Sequence, residues 1–154
     1  MPELPEVETV KNHISPLLLG TRIILAQNHR PNLRIPFPAN INQNLQNRKI
    51  EKISRRAKYL LCYLDNGQIM VIHLGMSGKI FIKNKEVLER GKHDHFTMEI
   101  EGNKIFILND VRRFGLLTII KANELAQHKL FKNLGVEPLS TEFDVAFLQG
   151  KLKG

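Results

Sequence analysis

The chain has 154 residues, which suits one compact domain, or one domain plus a fragment of another. Lys and Arg number 23 against 15 Asp and Glu, and the net charge of +8 points to a polyanionic partner. With 42% hydrophobic and 25% charged residues, strand-sized apolar blocks and a single Cys62, the composition excludes disordered, collagen-like, membrane-spanning and disulfide-framed classes.

Residues 5–19 read as a helix, because Val7, Val10, Ile14, Leu17 and Leu18 recur at spacings of three and four. Pro5 suits the first turn, Glu6 and Glu8 sit near the positive end of the helix dipole, Pro16 bends or ends the last turn, and Gly20 stops it. The period then changes to that of strands. Residues 21–29 place Ile23 and Leu25 on one face and Ile24 on the other. Residues 30–47, with Pro31, Pro36, Pro38 and several Asn, read as loop, and residues 50–53 start a new extended piece. Strands at 57–64 and 69–74 flank Asp65-Asn66-Gly67, a hairpin turn in which Asn-Gly supplies positive φ. Gly75 and Gly78 break the run before a strand at 79–83. A second hairpin joins 96–100 to 104–108 through Glu101-Gly102-Asn103, and 115–120 is another strand. Short strands separated by turns indicate an antiparallel sandwich or barrel. A short helix is expected at 123–130, capped by Asn123. Gly135 and Pro138 punctuate a linker, and Ser140 or Thr141 caps a last helix carrying Phe143, Ala146, Phe147 and Leu148. That helix reads as the first element of a second domain that the chain does not contain.

Pro2 becomes a free secondary amine at the terminus if the initiator Met is removed. A terminal amine is partly unprotonated at neutral pH and attacks aldehyde-like carbon. The adduct of a secondary amine is an iminium with a fixed charge, which acidifies the adjacent carbon and promotes elimination. Glu3 could move the protons involved. Taken alone, Pro and Glu at a helix start are ordinary capping residues. His93 and His95, without Cys partners or a third nearby His, are not read as a metal site. Cys62 within Leu-Leu-Cys-Tyr-Leu reads as inert core. The basic run from Arg48 to Lys58 around Glu51 reads as a solvated face or, given the net charge, a phosphate-binding one.

Met-Pro-Glu-Leu-Pro-Glu-Val-Glu-Thr-Val at 1–10 resembles the N-terminal signature of bacterial formamidopyrimidine-DNA glycosylases, the MutM family. Further matches follow in order: Arg55-Arg56-Ala57-Lys58-Tyr59-Leu60, His73-Leu74-Gly75-Met76-Ser77-Gly78, His93-Asp94-His95, Arg112-Arg113-Phe114-Gly115 and Leu134-Gly135-Val136-Glu137-Pro138-Leu139. Leu4, where the related endonuclease VIII branch usually has Gly, favours the formamidopyrimidine branch.

The resemblance implies an α+β, mainly β fold: an antiparallel β-sandwich flanked by helices over residues 1–136. Residues 137–154 would be a linker and the first helix of an absent helical and zinc-finger domain. It implies a bifunctional base-excision repair enzyme that removes oxidised purines, 8-oxoguanine and formamidopyrimidines, and nicks the strand as an abasic-site lyase. Pro2 would attack the sugar C1′ as a Schiff-base nucleophile, Glu3 would assist ring opening, and Lys58 would bind phosphate beside the lesion and assist strand cleavage. A flipped base leaves a hole in the stack. Met76 and Phe114 resemble the apolar side chains that fill or wedge it. Arg112 resembles the arginine that bonds the orphaned pyrimidine, its planar donors suiting a base edge. His93 matches a DNA contact, and Arg113 is assigned to packing or phosphate binding. As alternatives, Met76 fills a core gap and Phe114 caps a strand. No cofactor is expected in this chain; the family's structural zinc would belong to the absent zinc finger. The partner would be damaged double-stranded DNA, the protein a cytoplasmic, nucleoid-associated monomer, and the isolated chain much reduced in activity. A non-catalytic damaged-DNA-binding module is the alternative, and an aggregation-prone fragment a third.

Overall fold

Alternating apolar residues and two Gly-containing turns make the strands of this chain, and the computed structural model describes them over residues 4–87 and 90–128. Pro2, Glu3 and the expected helix in 137–154 lie outside those residues. In chain order come α1 (Leu4–Leu18), β1 (Ile23–Asn28), α2 (Ile41–Leu45), β2 (Ile50–Arg56), β3 (Tyr59–Leu64), β4 (Gln68–His73) and β5 (Gly78–Asn84). After a 3-10 turn at Lys85–Val87 follow β6 (Asp94–Ile100), β7 (Lys104–Asp110), β8 (Leu116–Lys121) and a 3-10 helix, Ala122–Gln127. Two antiparallel four-stranded sheets result, β1-β6-β7-β5 and β2-β3-β4-β8. The fold is the expected α+β, mainly β sandwich with flanking helices. No described helix is long and apolar enough to cross a membrane.

The inner faces meet in a core of Leu60, Cys62, Met70 and Ile72 from one sheet and Phe96, Met98, Phe106 and Leu108 from the other. Phe96 packs edge-on to Phe106, and Phe37 stacks on it from the 30–40 loop. Val7, Ile14 and Leu18 of α1 close one side of this core, with Val10 partly buried against it. Leu17 is off the stripe and exposed. Pro16 does not end the helix at once; α1 continues to Leu18, which is buried, and Gly20 adopts φ +80°. Leu61, Ile69, Val71 and Ile120 form a second cluster on the outer face of β2-β3-β4-β8, with Leu125 of the 3-10 helix packed against it.

Four local readings change. A bulge between Ile23 and Leu25 resets the alternation of β1, so Ala26 joins Ile23 in the core while Leu25 is only half-buried. The 30–47 segment is not all loop: Ile41 and Leu45, four apart, drive the single helical turn α2 into the core. Among Asp65-Asn66-Gly67 only Gly67 has positive φ. The 3-10 helix is flanked by Lys121, not Asn123, and has no side-chain cap bond.

A candidate nucleic-acid interface

One end of the sandwich is set by register. Tyr59, His73 and Leu116 lie side by side across β3, β4 and β8, so the turn at 57–58, the loop after His73 and the loop before Leu116 leave together. In the other sheet Gly78 pairs with Asp110, and Asp94 with Asn109, bringing the same two loops and the segment before β6 to that end. Arg55, three residues before Lys58, is almost fully buried and donates from Nε to Glu8 Oε1 at 2.8 Å and from Nη1 to the carbonyl of Ala57. The first turns of α1 are therefore anchored beside the β2–β3 turn. The helix starts at Leu4, four residues or about 6 Å of rise before Glu8.

Ala57 takes φ +53° to make that turn, which presents Lys58 next to β4. The His73 pKa is pushed down to about 4, first by burial and then by the positive charges of Arg34 and Lys58, which places both cations near it. His73 is thus neutral at physiological pH. Its Nδ1 accepts from the Gly75 N–H at 2.9 Å, and Tyr59 packs edge-on to its ring. This fixes the root of the loop that carries Met76.

Met76 and Phe114 are about half exposed, at 50% and 46%. Neither belongs to the core clusters, so the gap-filling reading of Met76 fails. Arg112 lies over the Phe114 ring, its Cζ 5.1 Å from the centroid. Beneath them the two loops touch backbone to backbone. A Cβ on Gly75 would stand 2.6 Å from the Gly115 nitrogen and from the Phe114 carbonyl carbon. Arg113 is exposed with φ +61°, and its N–H is held by Asp110 Oδ1 at 2.9 Å. Packing, one of its two expected roles, is not what its side chain does.

His93 is half-buried beside the same loop, and its carbonyl accepts the Asp110 N–H at 3.0 Å. His95 occupies a bulge in β6 that turns its ring inward, where Nε2–H donates to the Asp110 carbonyl at 3.0 Å. Burial, ahead of any neighbouring charge, lowers the His95 pKa. The two rings lie 6.0 Å apart. Among the described residues no three His, Cys, Asp or Glu side chains converge as metal ligands.

The basic run does not act as one face. Arg48 faces Asp65 at 3.7 Å, at the opposite end of β2 from Lys58, and Arg55 is sequestered against Glu8. Of this run, Lys58 stands at the end with the exposed loops. A cleft of about 720 Å³, lined in part by Arg48, Asn66 and Lys121, also belongs to the opposite end. Two participants are not visible to motif reasoning. Arg34 donates its N–H to the Gly115 carbonyl at 3.0 Å and brings a guanidinium to the site from a Pro-rich loop. Asp110, 1% exposed, organises the 111–115 loop from within. A basic, apolar-tipped, convergent end of this kind suits a duplex with a displaced base: cations for phosphates, protruding side chains for the stack.

Comparison with known proteins agrees with this geometry. Residues 1–117 match the formamidopyrimidine-DNA glycosylase N-terminal domain model. The chain is similar to the formamidopyrimidine-DNA glycosylase of Dinoroseobacter shibae, 42% identical over 164 aligned positions covering 100% of this chain and 57% of the relative. It is likewise similar to that of Bartonella quintana, 43% identical and covering 97% and 55%. Among solved structures, Lactococcus lactis Fpg (MutM) in complex with DNA containing FAPY-dG superposes with a TM-score of 0.81 at 32% identity, covering 98% of this chain and 56% of that one. The same protein bound to DNA containing an abasic site gives the same values. The chain thus spans about half the length of the relatives it matches. A matching model over most of the chain, on a sandwich of the same shape, makes this chain a member of the formamidopyrimidine-DNA glycosylase N-terminal domain family.

Proposed function

We propose that this chain is the catalytic half of a bifunctional DNA glycosylase and abasic-site lyase that excises oxidised purines, 8-oxoguanine and formamidopyrimidines, in base-excision repair. The observation that carries the reading is the convergence of Lys58, Met76, Arg112 and Phe114 at one end of the sandwich, with two apolar tips exposed where a core would hide them. Met76 and Phe114 enter the stack, Arg112 meets the orphaned pyrimidine, and Lys58 and His93 take backbone contacts. Damaged double-stranded DNA is the partner, met in the cytoplasm at the nucleoid by a monomer.

The chemistry starts at Pro2. Its nitrogen lone pair forms a bond to C1′, the glycosidic bond breaks with its electrons leaving on the base, the base takes up the Pro2 N–H proton, and Glu3 delivers a proton to O4′ as the C1′–O4′ bond breaks and the iminium forms. The resulting iminium acidifies C2′–H, a base removes that proton and the 3′ phosphate leaves; a second elimination, with loss of the C4′ proton to base, expels the 5′ phosphate, and water hydrolyses the iminium to return Pro2. Residues 137–154 lead into a helical and zinc-finger domain. Among the described residues no set of side chains fits a zinc ion, and the chain has one cysteine; the ion is assigned to that further domain. The 154 residues span about half the length of the relatives, and on their own they turn over much more slowly than a chain of the relatives' full length.

Borohydride trapping on an oligonucleotide with an abasic site tests the reading. The chain should give a covalent adduct that Pro2→Gly sharply weakens. Salt-sensitive binding with no adduct would instead identify a non-catalytic damaged-DNA module.

A further inference from the structure

We propose that Asp110 and Ser77 form a clasp that locks the Met76 loop and the Arg112–Phe114 loop into one rigid wedge. Both are positioning residues, and the inference rests on the DNA-excision reading above. Ser77 Oγ donates to Asp110 Oδ1 at 2.7 Å and accepts the Arg112 N–H at 2.9 Å, so a single hydroxyl ties the tip of one loop to the root of the other. Asp110 Oδ1 also accepts the Arg113 N–H, and Oδ2 the Gly115 N–H, both at 2.9 Å. Its backbone is engaged as well, with the carbonyl of His93 and the ring of His95.

Both carboxylate oxygens of this buried residue are therefore spent on the two loops, and among the described residues it forms no ion pair. Bonds to a carboxylate are the strong kind, and here they hold backbone N–H groups that otherwise face solvent on an exposed loop. The bond to Oδ1 also holds Arg113 in a left-handed conformation that its side chain disfavours. The mechanical consequence is specific. Met76 precedes Ser77 and Arg112 follows Asp110 by two residues, so neither tip moves without disturbing the shared hydroxyl. Three side chains that must enter a duplex together are held in register before they meet it, which removes much of the ordering cost of binding.

Ser77→Ala, Ser77→Thr and Asp110→Asn test this with two readouts. In the free chain, amide hydrogen exchange should speed up in both loops of Ser77→Ala, at residues 75–77 as well as at Arg112, while the β strands keep their protection. Asp110→Asn should extend the loss to Arg113 and Gly115. Affinity for an abasic-site duplex should fall about tenfold in Ser77→Ala, the loss of one charge-assisted bond, and Ser77→Thr, which keeps the hydroxyl, should restore it to within about threefold. Exchange that rises in only one loop overturns the clasp whether or not DNA binds. An unchanged duplex affinity in Ser77→Ala, with Met76→Ala weakened, overturns it while leaving the excision reading intact. Failure of the unaltered chain to bind abasic DNA at all counts against the excision reading, and the exchange data then judge the clasp alone.

Discussion

Replacing Gly75 by Ala isolates the close approach on which the interface depends. Gly75 has φ +62°, and an added Cβ would stand 2.6 Å from two backbone atoms of the 114–115 segment, which cannot yield as a flexible side chain does. Gly67 provides the control: φ is +81°, but a Cβ there meets nothing within 4 Å. Both substitutions incur the left-handed penalty of about 1 kcal/mol. Only Gly75→Ala adds an overpacking cost of about 1–3 kcal/mol. For a chain of this size about 1 kcal/mol lowers Tm by about 2–4 °C, so Gly67→Ala should lose about 2–4 °C and Gly75→Ala, at about 2–4 kcal/mol in all, about 4–16 °C. Thermal unfolding by circular dichroism reads the difference directly. Gly75→Ala should also weaken binding to an abasic-site duplex, and Gly67→Ala, at the far end, should not. Equal melting temperatures for the two variants would refute the claim that the loops are stacked backbone to backbone.

Burial acts to raise the Glu8 pKa, but hydrogen bonds and charge from Arg55 and Lys11 outweigh it and hold the carboxyl below its ordinary value. A depressed carboxylate contributes stability above its unfolded pKa, near 4.3, that is lost as pH falls through the folded value. With the Glu8 side chain 38% exposed, solvent screens the pair, so Glu8→Gln should cost about 0.5–1 kcal/mol at pH 7, with the gap in urea midpoints closing as pH falls through the folded value; a gap independent of pH would contradict the pairing. Burial pushes the Cys62 thiol up to about 12, so maleimide at pH 7.5 should label it only in denaturant. Labelling of the native chain within minutes would contradict that core position. His73, held near 4, should remain neutral by NMR titration down to pH ~5, with the proton on Nε2; a midpoint near 6.5 would contradict its burial beside the charges of Arg34 and Lys58.

Local signals in the sequence resolve much of this fold. Asn66-Gly67 and Gly102-Asn103 mark their hairpins because positive φ is a property of individual residues. The sandwich follows from several short alternating strands. What escapes is decided across the chain. The bulge at Ile24 depends on the partner strand, and α2 is one turn of Ile41 and Leu45 inside an Asn-rich segment, too short for any period to declare itself. Charge misleads in the same way: Arg48 and Arg55 look like neighbours of Lys58, yet one reaches Asp65 at the far end and the other is buried on Glu8, 47 residues away in sequence. At the site, Lys58, Met76, His93, Arg112 and Phe114 are legible through motif resemblance, and the structure gathers them at one end. Asp110 and Arg34 are not, because their importance lies in whose backbone they hold. Pro2 and Glu3 are legible in sequence and lie outside the described residues.

The most direct measurement is peptide mapping by mass spectrometry of the borohydride-trapped adduct on abasic DNA. The reduced sugar remnant should reside on the nitrogen of Pro2, in a peptide that has lost Met1. A remnant on a lysine, or full trapping by a chain that keeps Met1, would contradict the assignment of the terminal secondary amine as the nucleophile.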